Sequence, residues 1–181
     1  SKKVNALSPS IQACRIAAIS FDVFSTRRVS AIWSAGIKIL LVGAGKKEKF
    51  EFITLQNLAG SVVRKLLRKA KSLSFVLPKD IKLEEQDKTY AASLGIEIAS
   101  YDPTKEFKSK HEPVTLGTVE LLVDRTERGL QEGLKKGQIV AESVNLTRKL
   151  GDLPANIMTP TYFLNEAKRI AKENKLKITI L

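Results

Sequence analysis

Apolar residues recur along this chain with two spacings, alternate positions in some stretches and every third or fourth position in others, and the two kinds of stretch follow one another in turn. Alternation lines one face of a strand and a 3.6-residue period lines one side of a helix, so the pattern is that of an α/β domain. Strands are predicted at 16–23, 37–42, 73–77 and 115–123, bounded by Gly, Pro, Asp or Ser. Between the second and third, Leu55, Leu58, Ala59, Val62, Leu66 and Ala70 predict a helix over 55–71, with Arg64, Lys65, Arg68 and Lys71 on its other sides. A second helix over 83–100 is expected to bury Tyr90, Leu94 and Ile98, while Glu84, Glu85 and Asp87 suit its positive end. Gly95 reads as a weak point there, costing ~1 kcal/mol against alanine.

Beyond the last of these strands, Asp124 or Thr126 can cap a long helix running towards Leu150. Gly129, Gly133 and Gly137 lower its propensity, and Gly151 is expected to end it. Thr159 followed by Pro160 is a start signal for another helix reaching about Asn174, with Phe163, Ala167, Ile170 and Ala171 on one face. Residues 175–181 alternate as a strand cut off in mid-element. A strand with an unpaired edge is a liability for a free domain, so the expectation is a fragment boundary at that end.

Composition changes the picture in two respects. Hydrophobic residues at 43% and charged residues at 28% of 181 describe a chain able to form one core plus a piece of another, and exclude a disordered class. The apolar runs, such as 37–42, are far too short to span a bilayer, and the first five residues lead into nothing of signal-peptide type. Cys14 is the single cysteine, set among Ala13, Ile16 and Ala17, and reads as a small buried residue in a protein of the reducing cytoplasm. Second, 31 Lys and Arg against 19 Asp and Glu give a net charge of +12, a field that attracts polyanions. DNA is therefore a candidate partner, although the basic residues fall in several separate groups rather than one arm.

Candidate chemistry is sparse. Gly43, Ala44, Gly45 and Lys46 follow a strand in the manner of a phosphate loop, but a Walker loop requires glycine where Leu40 stands and Ser or Thr where Lys47 stands. A dinucleotide fingerprint requires glycine at Glu48, so a strand-exit turn is the better reading. His111 is the only histidine and sits in a charged loop between Lys110 and Glu112, with no nucleophile signature nearby. One cysteine and one histidine cannot build a tetrahedral zinc site without carboxylates. Asn145, Leu146 and Thr147 spell a glycosylation sequon inside a helix, and it is discounted. Lys46, Lys47 and Lys49, then Arg64, Lys65, Arg68 and Lys69, then Lys105, Lys108 and Lys110 have Phe50, Phe52, Tyr101 and Phe107 near them, a mixture that can hold single strands by charge and stacking. Alternation at Phe50 and Phe52 and the wet side of the helix account for most of it. No residue is assigned a catalytic, cofactor-binding or metal-binding role.

The segment 139–160 says more about identity. Ala141, Glu142, Val144, Asn145, Leu146, Arg148 and Leu150, then Pro154, Ala155 and Asn156, then Thr159 and Pro160, resemble the interdomain junction of the leucyl aminopeptidases, written A-E-x-V-N-L-x-R-x-L, P-A-N and T-P. Residues 40–48 resemble that family's L-L-V-G-L-G-K-K-E segment, and Tyr101 followed by Phe107, Lys108 and Lys110 resembles its Tyr- and Lys-containing loop. The resemblance implies a macro-domain-like mixed sheet with helices on both faces, then a helical linker and the first helix and strand of a second domain. It implies a non-catalytic domain over 1–137, an interdomain helix and loop over 138–158, and the start of a catalytic domain over 159–181. Members are cytoplasmic hexameric exopeptidases whose two divalent ions, manganese or zinc, are held in the second domain, and some bacterial relatives bind DNA through the first. Where the family commonly inserts a helix and a strand, this chain has only 25–36. Lys149 and the run Gly151, Asp152, Leu153 also depart from the family pattern. A small-ligand macro-type domain is a further alternative.

Overall fold

The computed structural model describes residues 3–6, 15–20, 29–34, 37–79, 81–103, 114–123 and 128–180, with side chains from 39 onward except at Arg128. The strands are β1 (Lys3–Ala6), β2 (Arg15–Ser20), β3 (Val29–Ser34), β4 (Ile37–Gly43), β5 (Ser72–Val76) and β6 (Thr118–Leu122). The helices are α1 (Phe52–Leu66), α2 (Glu85–Ala99), α3 (Arg128–Asp152) and α4 (Pro160–Glu173). The sheet runs β1-β6-β5-β2-β4-β3. It is mixed, as expected: all neighbours pair in parallel except β3, which lies antiparallel on β4 from Val29↔Val42 to Ser34↔Ile37.

Two strands are not legible in the sequence. Lys3–Ala6 is too short to show a period, and the stretch 25–36, an abbreviated insert by the family resemblance, carries β3. The four strands that were expected are present with shifted ends, and residues 21–23 of the first lie outside the described residues.

Parallel strands need crossovers, and these are right-handed. The two crossovers step the same way, from β4 through α1 to β5 and from β5 through α2 to β6, which places α1 and α2 side by side on one face. Leu55, Val62 and Val63 of α1 meet Leu73 and Phe75 of β5 and Val119 and Leu121 of β6 in the core, all at most 1% exposed. Burying each such side chain is worth about 1.5–3 kcal/mol. Ser74 lies on the opposite face of β5 from Leu73 and Phe75 and is also buried, directly across from Glu120, whose carboxylate accepts its hydroxyl at 3.4 Å.

Helix α1 stops five residues before the expected end. The Leu67 carbonyl accepts from the amides of Thr115 and Leu116, both at 3.1 Å, and the Lys71 carbonyl from Gly117 at 2.9 Å, so the chain after Leu66 is tied to the approach to β6. Leu67 and Ala70 remain buried outside the helix. In α2, Leu94 is buried as expected, whereas Tyr90 and Ile98 are only half-buried. The Tyr90 ring meets the Phe52 ring edge-on at 5.0 Å and carries the Lys136 ammonium at 4.6 Å.

The glycines of α3 do not interrupt it, and Gly151 lies in its last turn rather than beyond it. Gly129, Gly133, Gly137 and the fully buried Ala141 recur every four residues, and this stripe lies along α2. A β-carbon on Gly133 would fall on the Gln86 carbonyl and the Thr89 hydroxyl; one on Gly137 would fall on the Ser93 hydroxyl, 2.9 Å from the Tyr90 carbonyl. Gly95, read as a weak point, is another close approach: a β-carbon there would strike the Gln56 carbonyl of α1. The buried Ser93 hydroxyl is satisfied by the carbonyls of Tyr90 (3.2 Å) and Leu134 (3.3 Å).

The expected caps Asp124 and Thr126 lie outside the described residues. Thr159 does cap α4, its Oγ1 accepting from the Tyr162 amide at 3.2 Å, with Pro160 in the first turn. The strand expected over 175–181 is not formed by 176–180, which pair with no strand among the described residues and leave Leu176, Ile178 and Ile180 exposed.

Candidate functional site

Of the residues singled out in the sequence, Arg64, Arg68, Tyr101 and Arg148 come together, and the other described ones do not join them. The chain leaves β4 by the expected strand-exit turn: Gly45, at φ +82°, sits in the left-handed region that glycine tolerates, and the backbone passes into a short turn at Lys47–Lys49. Phe50 is buried and Phe52 packs against Tyr90, so this basic-aromatic group offers no stacking platform. Cys14, Lys105, Phe107, Lys108, Lys110 and His111 lie outside the described residues. Among the described residues, no three His, Cys, Asp or Glu side chains come together in a way that could hold a metal ion.

The 139–160 motif, by contrast, has a clear structural role. A helix ends with carbonyls that have no partner within it. At the end of α2, Asn145 Nδ2 donates to the Glu97 carbonyl at 2.9 Å and Arg148 Nη1 to the Ile98 carbonyl at 3.0 Å, so two motif residues of α3 supplement the longer bonds these carbonyls accept from the Ser100 and Tyr101 amides, at 3.2 and 3.4 Å. The guanidinium also suits the negative end of the α2 dipole. It lies 4.5 Å from the Tyr101 ring centroid, and the Tyr101 hydroxyl donates to Asp152 Oδ2 at 2.7 Å. Asn145, discounted as a sequon, is thus one side of a clamp between α2 and α3.

Beside this clamp lies a cleft of about 400 Å³ between the C-terminal ends of α1 and α2 and the α3 helix. Arg64 and Arg68 reach it from α1 and the turn after it, Arg148 from α3, and Tyr101 and Asp102 from the chain after α2. Arg68 Nη2 donates to Asp102 Oδ2 at 2.9 Å, and the Asp102 side chain is only 8% exposed. Sequence reasoning places Arg64 and Arg68 on the wet side of a helix and passes over Asp102. Two arginines four residues apart at a helix end were the available signal.

After the clamp the chain loosens. Pro154, Ala155 and Asn156 are exposed, in a turn closed by bonds from the Ile157 and Met158 amides to the Pro154 carbonyl, both at 2.9 Å. No other element packs extensively on α4 among the described residues, and Phe163 is 59% exposed. On its outer side Arg169 joins Glu166 and Glu173 at 2.8 and 2.7 Å, which holds the Glu166 carboxyl below its ordinary value.

Known proteins share this architecture. The sequence model described as the cytosol aminopeptidase family, N-terminal domain, matches residues 10–111. A probable cytosol aminopeptidase of Nitrosococcus oceani is 38% identical over 152 residues, covering 80% of this chain and 30% of that protein. The chain thus spans about a third of the length of such relatives. Among solved structures, a tomato leucine aminopeptidase variant superposes with a TM-score of 0.80 at 19% identity, over 96% of this chain and 42% of that one. The bottromycin maturation enzyme BotP in complex with Mn superposes with a TM-score of 0.75 at 20% identity, over 90% of this chain and 37% of that one. By its sequence match and its relatives, the chain belongs to the cytosol aminopeptidase family, of which it carries the N-terminal domain.

Proposed function

We propose that the chain is the non-catalytic, assembly and access-limiting domain of a metal-dependent aminopeptidase that removes leucine-like residues from peptide N-termini. In this reading residues 1–137 form the domain, 138–158 the interdomain helix and loop, and 159–181 the first part of the catalytic domain. The observation that carries it is the contrast at the junction. Asn145 and Arg148 bind α3 firmly to α2, whereas Ile157, Phe163, Leu176, Ile178 and Ile180 expose between 39% and 61% of their surface. Apolar surface of this kind on a short segment fits a neighbour that covers it.

The reaction belongs to the other domain. Paired divalent ions lower the pKa of a bridging water and stabilise the developing oxyanion; no ligand set for them gathers among the described residues, and no catalytic step is assigned to this chain. A cytoplasmic location and a hexameric assembly follow from the family reading; no helix among the described residues is long and apolar enough to cross a membrane. DNA binding, the alternative, loses the stacking contribution of Phe50 and Phe52. The test is incubation of the 181-residue chain with leucyl-anilide substrates and manganese or zinc. No turnover above blank is expected, and metal-dependent turnover would overturn the assignment.

A further inference from the structure

We propose that the cleft between α1, α2 and α3 is a binding site for a small oxyanion, a phosphate or carboxylate group. Among the described residues that line it, three guanidinium groups, of Arg64, Arg68 and Arg148, stand against one carboxylate, that of Asp102, an excess of positive charge. Arg64 and Arg68 stand four residues apart at the end of α1, and the fold brings Arg148 of α3 and Asp102 after α2 to them. A guanidinium presents donors in a planar fork that matches an oxyanion edge, and such charge-assisted bonds are the stronger kind.

The donors have unequal commitments. Arg68 is drawn to Asp102, itself largely buried, which fixes one wall of the cleft. Arg148 uses Nη1 for the Ile98 carbonyl and the Asn145 side-chain oxygen, and its ring contact with Tyr101 holds the guanidinium plane in place; its Nε and Nη2 donors are left for a ligand. Arg64 is exposed and makes no hydrogen bond or ion pair among the described residues. It is the donor that closes on the ligand. The volume of about 400 Å³ admits a group larger than a bare ion, so a phosphate ester or a dicarboxylate fits as well as inorganic phosphate.

The experiment is titration of the 181-residue chain at low ionic strength with inorganic phosphate and, separately, with succinate, followed by calorimetry and by NMR shifts around Tyr101 and Arg148. Arg64→Gln is the informative variant, because that side chain holds nothing together, and circular dichroism checks that it folds. Lys135→Gln is the charge-matched control: Lys135 is an exposed residue 13 positions before Arg148 on α3, about 20 Å away along the helix. The proposal expects saturable binding that Arg64→Gln weakens by about tenfold or more and that Lys135→Gln leaves unchanged. Tighter phosphate identifies a phosphoryl ligand, and tighter succinate a carboxylate. No saturable binding of either probe, binding indifferent to Arg64→Gln, or equal weakening by the two variants overturns it.

Discussion

Replacing Gly137 by alanine sets two physical effects of opposite sign against each other. In an exposed helix the change is stabilising, because alanine has the higher propensity by about 1 kcal/mol. In this helix the added methyl would occupy the position of the Ser93 hydroxyl and lie 2.9 Å from the Tyr90 carbonyl and 3.0 Å from the Leu94 amide. The hydroxyl could turn aside, but the two backbone atoms belong to α2 and cannot move without it. Accommodating the methyl therefore means lifting α3 along the line that also seats Leu130, Leu134 and Ala141, all buried. Overpacking of this kind costs about 1–3 kcal/mol, which exceeds the propensity gain at most of that range. Gly151 in the last turn of the same helix has nothing within 4 Å of its would-be β-carbon and is the matched control. Urea unfolding followed by far-ultraviolet circular dichroism should show Gly137→Ala shifted to a lower midpoint, by roughly 0.5 M for a net loss of about 1 kcal/mol and a slope of about 2 kcal/mol/M, and Gly151→Ala unchanged or shifted upward. Adding Ser93→Ala to Gly137→Ala should restore only part of the loss, since the backbone contacts stay. If Gly137→Ala is as stable as the parent chain, the close approach of α2 and α3 is wrong.

Gly95→Ala should destabilise for the same reason, its β-carbon meeting the Gln56 carbonyl of α1, and a midpoint above that of the parent would refute the α1–α2 packing. Asn145→Ala removes the side-chain donor to the Glu97 carbonyl, leaving it the Ser100 amide at 3.2 Å, and should cost about 0.5–1.5 kcal/mol in the same assay, with faster amide exchange at the end of α2; unchanged exchange there would show that the clamp is not one. For α4 the pH dependence has a definite sign: the Glu166 carboxyl is held low by its hydrogen bond to Arg169, so this contribution is complete above the ordinary value of 4.5 and is lost as pH falls through the lowered one. NMR titration should find Glu166 titrating below 4.5, with the difference shrinking in high salt because the pair is exposed. A Glu166 that titrates at or above 4.5 contradicts the pairing.

Where one face of an element is wet, the sequence made it readable. The α1 stripe from Leu55 to Leu66 and the Thr159, Pro160 start of α4 appear in the structure because amphipathic spacing and capping are local properties. The α2–α3 contact escapes such reasoning because it is made by absence. Gly95, Gly133 and Gly137 look like helix breakers until the partner backbone lies against them, and α2 from Ala91 to Ile96 is buried all round, so no period survives. Residues 175–181 show the converse: alternation predicts a strand, but 176–180 pair with no strand among the described residues. The clamp was visible only as the family letters at Asn145 and Arg148, whose physical task, serving the last carbonyls of α2, depends on a contact 48 to 50 residues distant in sequence. Of the cleft only the pair Arg64 and Arg68, four residues apart, was legible, because Arg148 and Asp102 come from other elements that only the fold joins.

The central claim is that this chain is one domain of a larger aminopeptidase, and the most direct measurement is the intact mass of the natural product in its source cell, captured with an antibody raised against this chain. Since 152 matched residues make up 30% of the Nitrosococcus oceani relative, the account predicts a species of about three times the 20.0 kDa of this chain. A species of 20.0 kDa alone would contradict it, and would move the function from peptide hydrolysis in a partner domain to binding by this domain itself.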